Sequence, residues 1–230
     1  MIAPIVQSDR PVTLVGAGQA TSESLEKALR IAPTCVAADG GARLALENNV
    51  PLAAVIGDFD SVDPSDLAGL PQALCHRIAE QESTDFEKAL TRIAAPLVLG
   101  LGFTGGRIDH QLAALHTLLA FPHRPCVLMS EQELICLAPP RLALPTALND
   151  VVSLFPMGQV TGQSEGLTWP IDGLSFSPMT RVGTSNRAEG PMTLRFSAPR
   201  MLLILPERLM PELVQALVQP DAARWPAPAG

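Results

Sequence analysis

Acidic residues recur where this chain turns out of apolar runs, and they are the first positions able to do chemistry. In AVIGDFDS, residues 54–61, a β-rich stretch ends at Gly57 and two carboxylates follow at Asp58 and Asp60. In open α/β sheets, ligands bind just beyond the carboxyl ends of the strands. Two acids one residue apart in an extended turn can point to one side and share a hard cation of the magnesium kind. The competing account is a polar turn whose Asp and Ser side chains bond their own backbone. A second run, Val36–Asp39, also ends in an acid and is followed by Gly40 and Gly41, where a backbone can approach a ligand closely.

Two further acids stand at helix starts. In Ser83-Thr84-Asp85-Phe86-Glu87, Thr84 with Glu87 three residues later matches a capping box. Asp85 would then lie in the first turn, where the helix dipole alone accounts for it. Gly105-Gly106-Arg107-Ile108-Asp109-His110 precedes another helical pattern. Glycines, an arginine and a helix start describe a place for phosphate; a plain Arg107–Asp109 pair is the alternative. No GK[ST] follows, so this is not a Walker loop. Val15-Gly16-Ala17-Gly18 imitates a dinucleotide fingerprint, but Thr21 stands where the third glycine belongs, and nicotinamide binding is set aside. The four histidines have no ligand spacing and read as ordinary helix or loop residues. In the last third, Trp169 within GLTWP and the polar Gly183-Thr184-Ser185-Asn186 could offer an aromatic face and neutral hydrogen bonds, or be a core Trp and a turn.

The elements that must hold these residues fall into two groups. Strand-like runs at Val12–Val15, Cys35–Ala38, Ala54–Ile56, Leu97–Leu99 and Cys126–Met129 alternate with helical patterns around Leu25–Leu29, Phe86–Ile93 and Leu112–Leu119. That alternation implies a parallel sheet covered by helices. After Leu137 the chain changes to short apolar stretches, Val151–Phe155, Met192–Phe196 and Met201–Leu205, separated by Pro, Gly, Asn and Ser. This patterning fits a small antiparallel sandwich or barrel. A helix is expected over Glu207–Val218. An α/β domain is therefore expected over 1–137, an all-β sandwich over 138–218 and a flexible tail over 219–230.

Bulk properties narrow the function. Sixteen basic and twenty-three acidic side chains give a net charge of −7, and no Lys/Arg-rich run offers a footprint for nucleic acid. No apolar stretch approaches the roughly 20 residues needed to cross a bilayer. The N-terminus lacks the basic start and apolar core of a signal peptide. Cys35, Cys126 and Cys136 sit inside apolar runs, as small core hydrophobes do. A reduced, cytoplasmic protein is expected.

Taken in order, DGG, GDFDS, TD with Lys88 three residues on, GGRIDH, GLTW and TSN resemble the thiamine pyrophosphokinase family from about Asp39 to Asn186. Each motif alone is ordinary; the ordered set is specific. The resemblance implies a nucleotide-binding α/β domain followed by a β-sandwich, in a homodimer with active sites at the subunit interface. It implies Mg²⁺ near Asp58, Asp60 and Asp85, with Arg107 completing the catalytic set. Asp39, Gly40, Gly41, Gln81, Lys88 and Asp109 would line the ATP side, and Trp169, Ser185 and Asn186 would lie near thiamine. Ser83 stands where relatives often carry His or Lys, and Gly183 where Ser or Thr is usual. The implied reaction moves the diphosphate of ATP to the thiamine hydroxyl and releases AMP. A pterin-alcohol pyrophosphokinase and a non-catalytic thiamine- or nucleotide-sensing module are the alternatives.

Overall fold

The longer apolar runs and helical patterns of the sequence reappear as strands and helices, joined by shorter elements that carry no period of their own. The computed structural model describes residues 2–60 and 62–228. Ser61, the last residue of AVIGDFDS, and the final two residues of the expected tail lie outside the described residues. The chain divides into two compact units, Met1–Thr117 with Leu128–Glu131, and Leu118–Val127 with Gln132–Gly230.

The first unit contains β1 (Val6–Gln7), β2 (Val12–Val15), α1 (Ser22–Ile31), β3 (Thr34–Ala38), α2 (Ala42–Glu47), β4 (Leu52–Gly57), α3 (Pro64–Ala68), β5 (Cys75–Arg77), α4 (Asp85–Thr91), β6 (Ile93–Ala94) and β7 (Val98–Leu101). The division between the units falls inside α5 (Ile108–Ala120) and β8 (Cys126–Met129). Strand pairing in this unit is parallel: β2 with β7, β3 with β4, β4 with β5 and β1 with β6. Every residue of β2 and β7 is buried, as expected for parallel strands covered on both faces. Thr21 caps α1 in a reciprocal box with Ser24, and the helix buries Leu25 and Ala28. Thr84 caps α4 by accepting from the Glu87 amide at 3.3 Å. The expected helix over Phe86–Ile93 stops at Thr91, because Ile93 leaves it to pair with Val6 in a short parallel ladder.

The second unit is antiparallel apart from its helix. It holds β9 (Glu133–Leu137), β10 (Arg141–Leu144), β11 (Val151–Pro156), β12 (Val160–Leu167), β13 (Ser175–Phe176), β14 (Gly183–Phe196), β15 (Met201–Pro206) and α6 (Met210–Val218). The chain passes into this unit for the last time between Glu131 and Gln132, six residues ahead of the expected 137/138 boundary, and β9 pairs with β15 there. Fourteen residues long, β14 is the organising strand. Its first residues pair with β11, and its later ones pair with β10 and with β12. The helix expected from Glu207 begins as a 3₁₀ turn over Glu207–Leu209 and becomes α6 at Met210, burying Leu213, Val214 and Leu217. The described residues beyond α6 form no regular element, yet the Trp225 indole donates to Ala138 O at 2.8 Å and Arg224 donates to Leu217 O at 3.3 Å.

Candidate active site

Parallel register brings the first two acids together. Ala38 of β3 stands beside Ile56 of β4, so Asp39 and Asp58 leave adjacent strand ends on the same side. Both are buried, Asp39 to 3% exposure and Asp58 to 8%. A Cβ on Gly57 would lie 2.9 Å from the Asp39 carboxylate, so a side chain there would push that acid away. Asp39 and Phe59 both have positive φ, 46° and 66°, a conformation that costs free energy in non-glycine residues and clusters at functional sites. That conformation aims the Phe59 amide at Asp39 Oδ1, 2.9 Å away. The Asp60 amide donates to Asp58 Oδ1 at 3.2 Å.

Carboxylate oxygens of Asp39, Asp58 and Asp60 all lie within 4.8 Å of one another. Three hard oxygen donors, two buried and one exposed, suit a divalent cation that keeps part of its water shell. The set differs from the expected Asp58, Asp60 and Asp85. Asp85, first residue of α4, instead faces Lys88, whose Nζ lies 3.4 Å from Asp85 Oδ1 and 2.6 Å from Asp58 Oδ2. Lys88 is 1% exposed, so its ammonium is an internal counter-ion to two acids. Burial pulls that ammonium's pKa down, but the Asp58 hydrogen bond and the field of Asp85 outweigh it and leave it above the ordinary lysine value. The same hydrogen bond holds Asp58 below the usual carboxylate range. Burial pushes Asp85 up despite the neighbouring ammonium.

These groups line a cleft of about 830 Å³ in the first unit. Asp39, Gly40, Asp58, Asp60, Gln81, Asp85, Lys88 and Arg107 all reach it, and Gln81 donates to Asp58 Oδ2 at 3.4 Å. Gly41 is buried at the end of the 3₁₀ turn Asp39–Gly41. Asp109 is not part of the lining; it forms a two-bond pair with Arg107, at 3.2 and 2.6 Å, with both side chains exposed. The structural pairing considered from the sequence is thus present, and it leaves the guanidinium at the cleft's mouth. The cleft also uses residues to which the sequence alone gives no role. Gly16, Ala17, Gly18 and Gln19 line it, as do Phe103 and His110. The Gly18 amide donates to Gly102 O at 2.9 Å, closing one loop against another. Phe103 and Phe86 pack with ring centroids 4.4 Å apart. A strand followed by GxG is the one signal in the sequence that marks the first of these loops.

The three remaining candidates lie in the second unit. Trp169 is 58% exposed, which excludes the core-Trp account. Ser185 is also exposed, with φ 64° inside β14, and its amide donates to Ser153 Oγ at 2.9 Å. Asn186 is 6% exposed, and its side chain bonds the Trp169 backbone.

Residues 25–129 match the family model described as the thiamin pyrophosphokinase catalytic domain. Among curated proteins, thiamine pyrophosphokinase 3 of Oryza sativa subsp. japonica is 28% identical over 149 residues, 56% of each chain. Thiamine pyrophosphokinase 2 of the same plant is 29% identical over 149 residues, again 56% of each. The chain thus spans little more than half the length of the curated relatives it matches. Among solved structures, thiamin pyrophosphokinase from Geobacillus thermodenitrificans superposes with a TM-score of 0.72 at 22% identity, over 85% of this chain and 96% of that one. The Candida albicans enzyme gives 0.73 at 15% identity, over 90% and 94%. The resemblance carried by the ordered motifs is thereby borne out: over residues 25–129 the chain is similar to thiamin pyrophosphokinase catalytic domains, and it has the mixed α/β fold of solved thiamin pyrophosphokinases.

Proposed function

We propose that the chain is a thiamine diphosphokinase that transfers the diphosphate of ATP to the hydroxyl of thiamine, giving thiamine diphosphate and AMP. The observation that carries this reading is the acid trio Asp39, Asp58 and Asp60, gathered at adjacent parallel strand ends in a cleft that also receives Lys88 and Arg107. Asp39, Asp58 and Asp60 would hold Mg²⁺. When bound, the ion supplies charge neutralisation at the phosphate oxygens. Asp85 holds Lys88 in place from the helix side. Arg107 orients the polyphosphate, the Gly16–Gly18 loop walls the cleft beside it, and Gln81 supports the Asp58 carboxylate. Attack of the thiamine hydroxyl oxygen on the β-phosphorus forms one O–P bond and breaks the bond to the α,β-bridging oxygen, so AMP leaves as the hydroxyl proton is lost. Such transfer depends on positioning and electrostatics more than on covalent chemistry. The pterin and sensor alternatives are not favoured by the relatives.

In finer terms, the first unit serves as the nucleotide- and metal-binding domain. The second serves as a β-sandwich that presents Trp169 and Ser185 to thiamine, with Asn186 close behind. The protein acts as a homodimer in the cytoplasm, where its four free thiols stay reduced. No helix among the described residues is long and apolar enough to cross a membrane. Light scattering at micromolar concentration should give the mass of a dimer; a monomer would count against active sites shared between subunits.

The exposed indole provides the substrate test. Trp169→Ala should raise the thiamine KM with the ATP KM little changed. Loss of a cation–π face is worth about 0.5–2 kcal/mol, a few-fold to roughly thirtyfold in KM. Equal effects on both substrates, or none, would remove Trp169 from the thiamine site.

A further inference from the structure

Trp169 combines an exposed side chain with a backbone fixed from several directions. β12 ends at Leu167 after a register shift against β14 between Glu165 and Leu167. Gly166 provides that shift: its φ is +77°, and a Cβ there would collide with Pro191 O. A bulge of this kind bends a strand and re-aims the residues after it. The Thr168 amide then donates to Arg187 O at 2.9 Å, tying the chain to β14 just before the tryptophan. On the other side, Pro170 restricts Trp169 to extended backbone.

Asn186 completes the fixation. Trp169 N donates to Asn186 Oδ1 at 3.2 Å, and Asn186 Nδ2 donates to Trp169 O at 2.7 Å. One side-chain amide thus takes both backbone groups of one residue, as a neighbouring strand would. Oδ1 also accepts from the Arg187 amide at 2.8 Å. An asparagine side chain offers two donor hydrogens and two acceptor lone pairs, and backbone groups take three of these four. With the side chain buried, little capacity remains for a direct ligand contact.

We infer that Asn186 is a positioning residue, which clamps the backbone of Trp169 so that the exposed indole stands as a fixed platform for a flat cationic ring. The inference rests on the proposed thiamine site, and it assigns Asn186 a role through Trp169 instead of a contact with the substrate. An exposed aromatic on a free backbone would lose rotational freedom on each binding event; one fixed in advance avoids that cost.

Trp169 and Trp225 are the two tryptophans of the chain, so Trp225→Phe makes the Trp169 indole the sole fluorophore of its kind. In that background, Asn186→Ala is expected to lower the residual anisotropy of Trp169 in nanosecond decays while far-UV circular dichroism stays unchanged. Asn186→Asp is the near-isosteric second variant, in case the alanine form folds poorly. It keeps the acceptor for Trp169 N, sets an oxygen against Trp169 O and should give an intermediate loss. In the natural background Asn186→Ala should raise the thiamine KM at least about threefold, with kcat less affected. The decisive measurement is the double-mutant cycle. Trp169→Ala with Asn186→Ala should be no worse for thiamine than Trp169→Ala alone, because the asparagine acts through the indole. Additive losses would mean that Asn186 touches the substrate, and unchanged anisotropy would mean that it does not hold the indole; either overturns the inference. If Trp169→Ala itself leaves thiamine KM unchanged while the anisotropy still falls, the clamp stands and the thiamine site is what fails.

Discussion

Asp60→Asn is expected to leave the fold intact and to lower turnover by a hundredfold or more, about 3 kcal/mol of transition-state stabilisation. Asp60 is exposed and the ion pairs of Lys88 are made with Asp58 and Asp85, so its loss would remove a proposed cation ligand without orphaning a buried ammonium. Asp39→Asn should produce a loss of the same order, since its carboxylate completes the trio. Asp58→Asn is a less clean probe, because Asp58 Oδ2 accepts from Lys88 at 2.6 Å and the substitution also disturbs that ion pair. Steady-state rates at saturating ATP and thiamine, alongside circular dichroism, decide the matter. Near-normal turnover in folded Asp60→Asn and Asp39→Asn proteins would dissociate the trio from the chemistry.

Lys88→Met should act first on stability. Removing the ammonium leaves Asp58 and Asp85 facing one another with no counter-charge, and breaking a buried ion pair by deleting one partner costs about 3–5 kcal/mol. Urea unfolding followed by circular dichroism should show that loss in the absence of divalent cation. Hydrogen exchange should show faster opening of α4 and β4 than of the second unit. Added Mg²⁺ is expected to restore part of the difference by supplying positive charge beside Asp58. Unchanged unfolding and exchange would mean that the ion pair contributes nothing net.

Much of the fold is readable in the sequence because burial on both faces gives parallel strands an uninterrupted apolar signature. Val12–Val15 and Cys126–Met129 coincide with β2 and β8. The six-residue α2, the five-residue α3 and the three-residue β5 are too short to display a period, and tertiary packing sets them. The acids themselves are readable as residues that come directly after strands. Their grouping is not, because it depends on which strands are neighbours. Only the Ala38–Ile56 pairing reveals that Asp39 joins Asp58 and Asp60, while Asp85 is held on Lys88. The Gly16–Gly18 loop fails a dinucleotide pattern, yet it lines the cleft. Motif order alone points Asn186 at the ligand; only the fold brings its amide onto a backbone seventeen residues away.

Which phosphorus is attacked separates two kinds of transfer. An ordinary kinase moves the γ-phosphoryl group and releases ADP, whereas diphosphate transfer requires attack at the β-phosphorus and releases AMP. The acids reach the cleft from β3, β4 and α4, and Arg107 enters from the loop before α5. That spread suits a polyphosphate held along its length, in contrast to a single P-loop cradle around the β- and γ-phosphates. Chromatography of the products formed from thiamine and Mg·ATP tests this directly. AMP and thiamine diphosphate are expected in equal amounts, with no accumulating thiamine monophosphate, and no AMP when a pterin alcohol replaces thiamine. ADP as the major nucleotide product would contradict diphosphate transfer, even with thiamine as the acceptor.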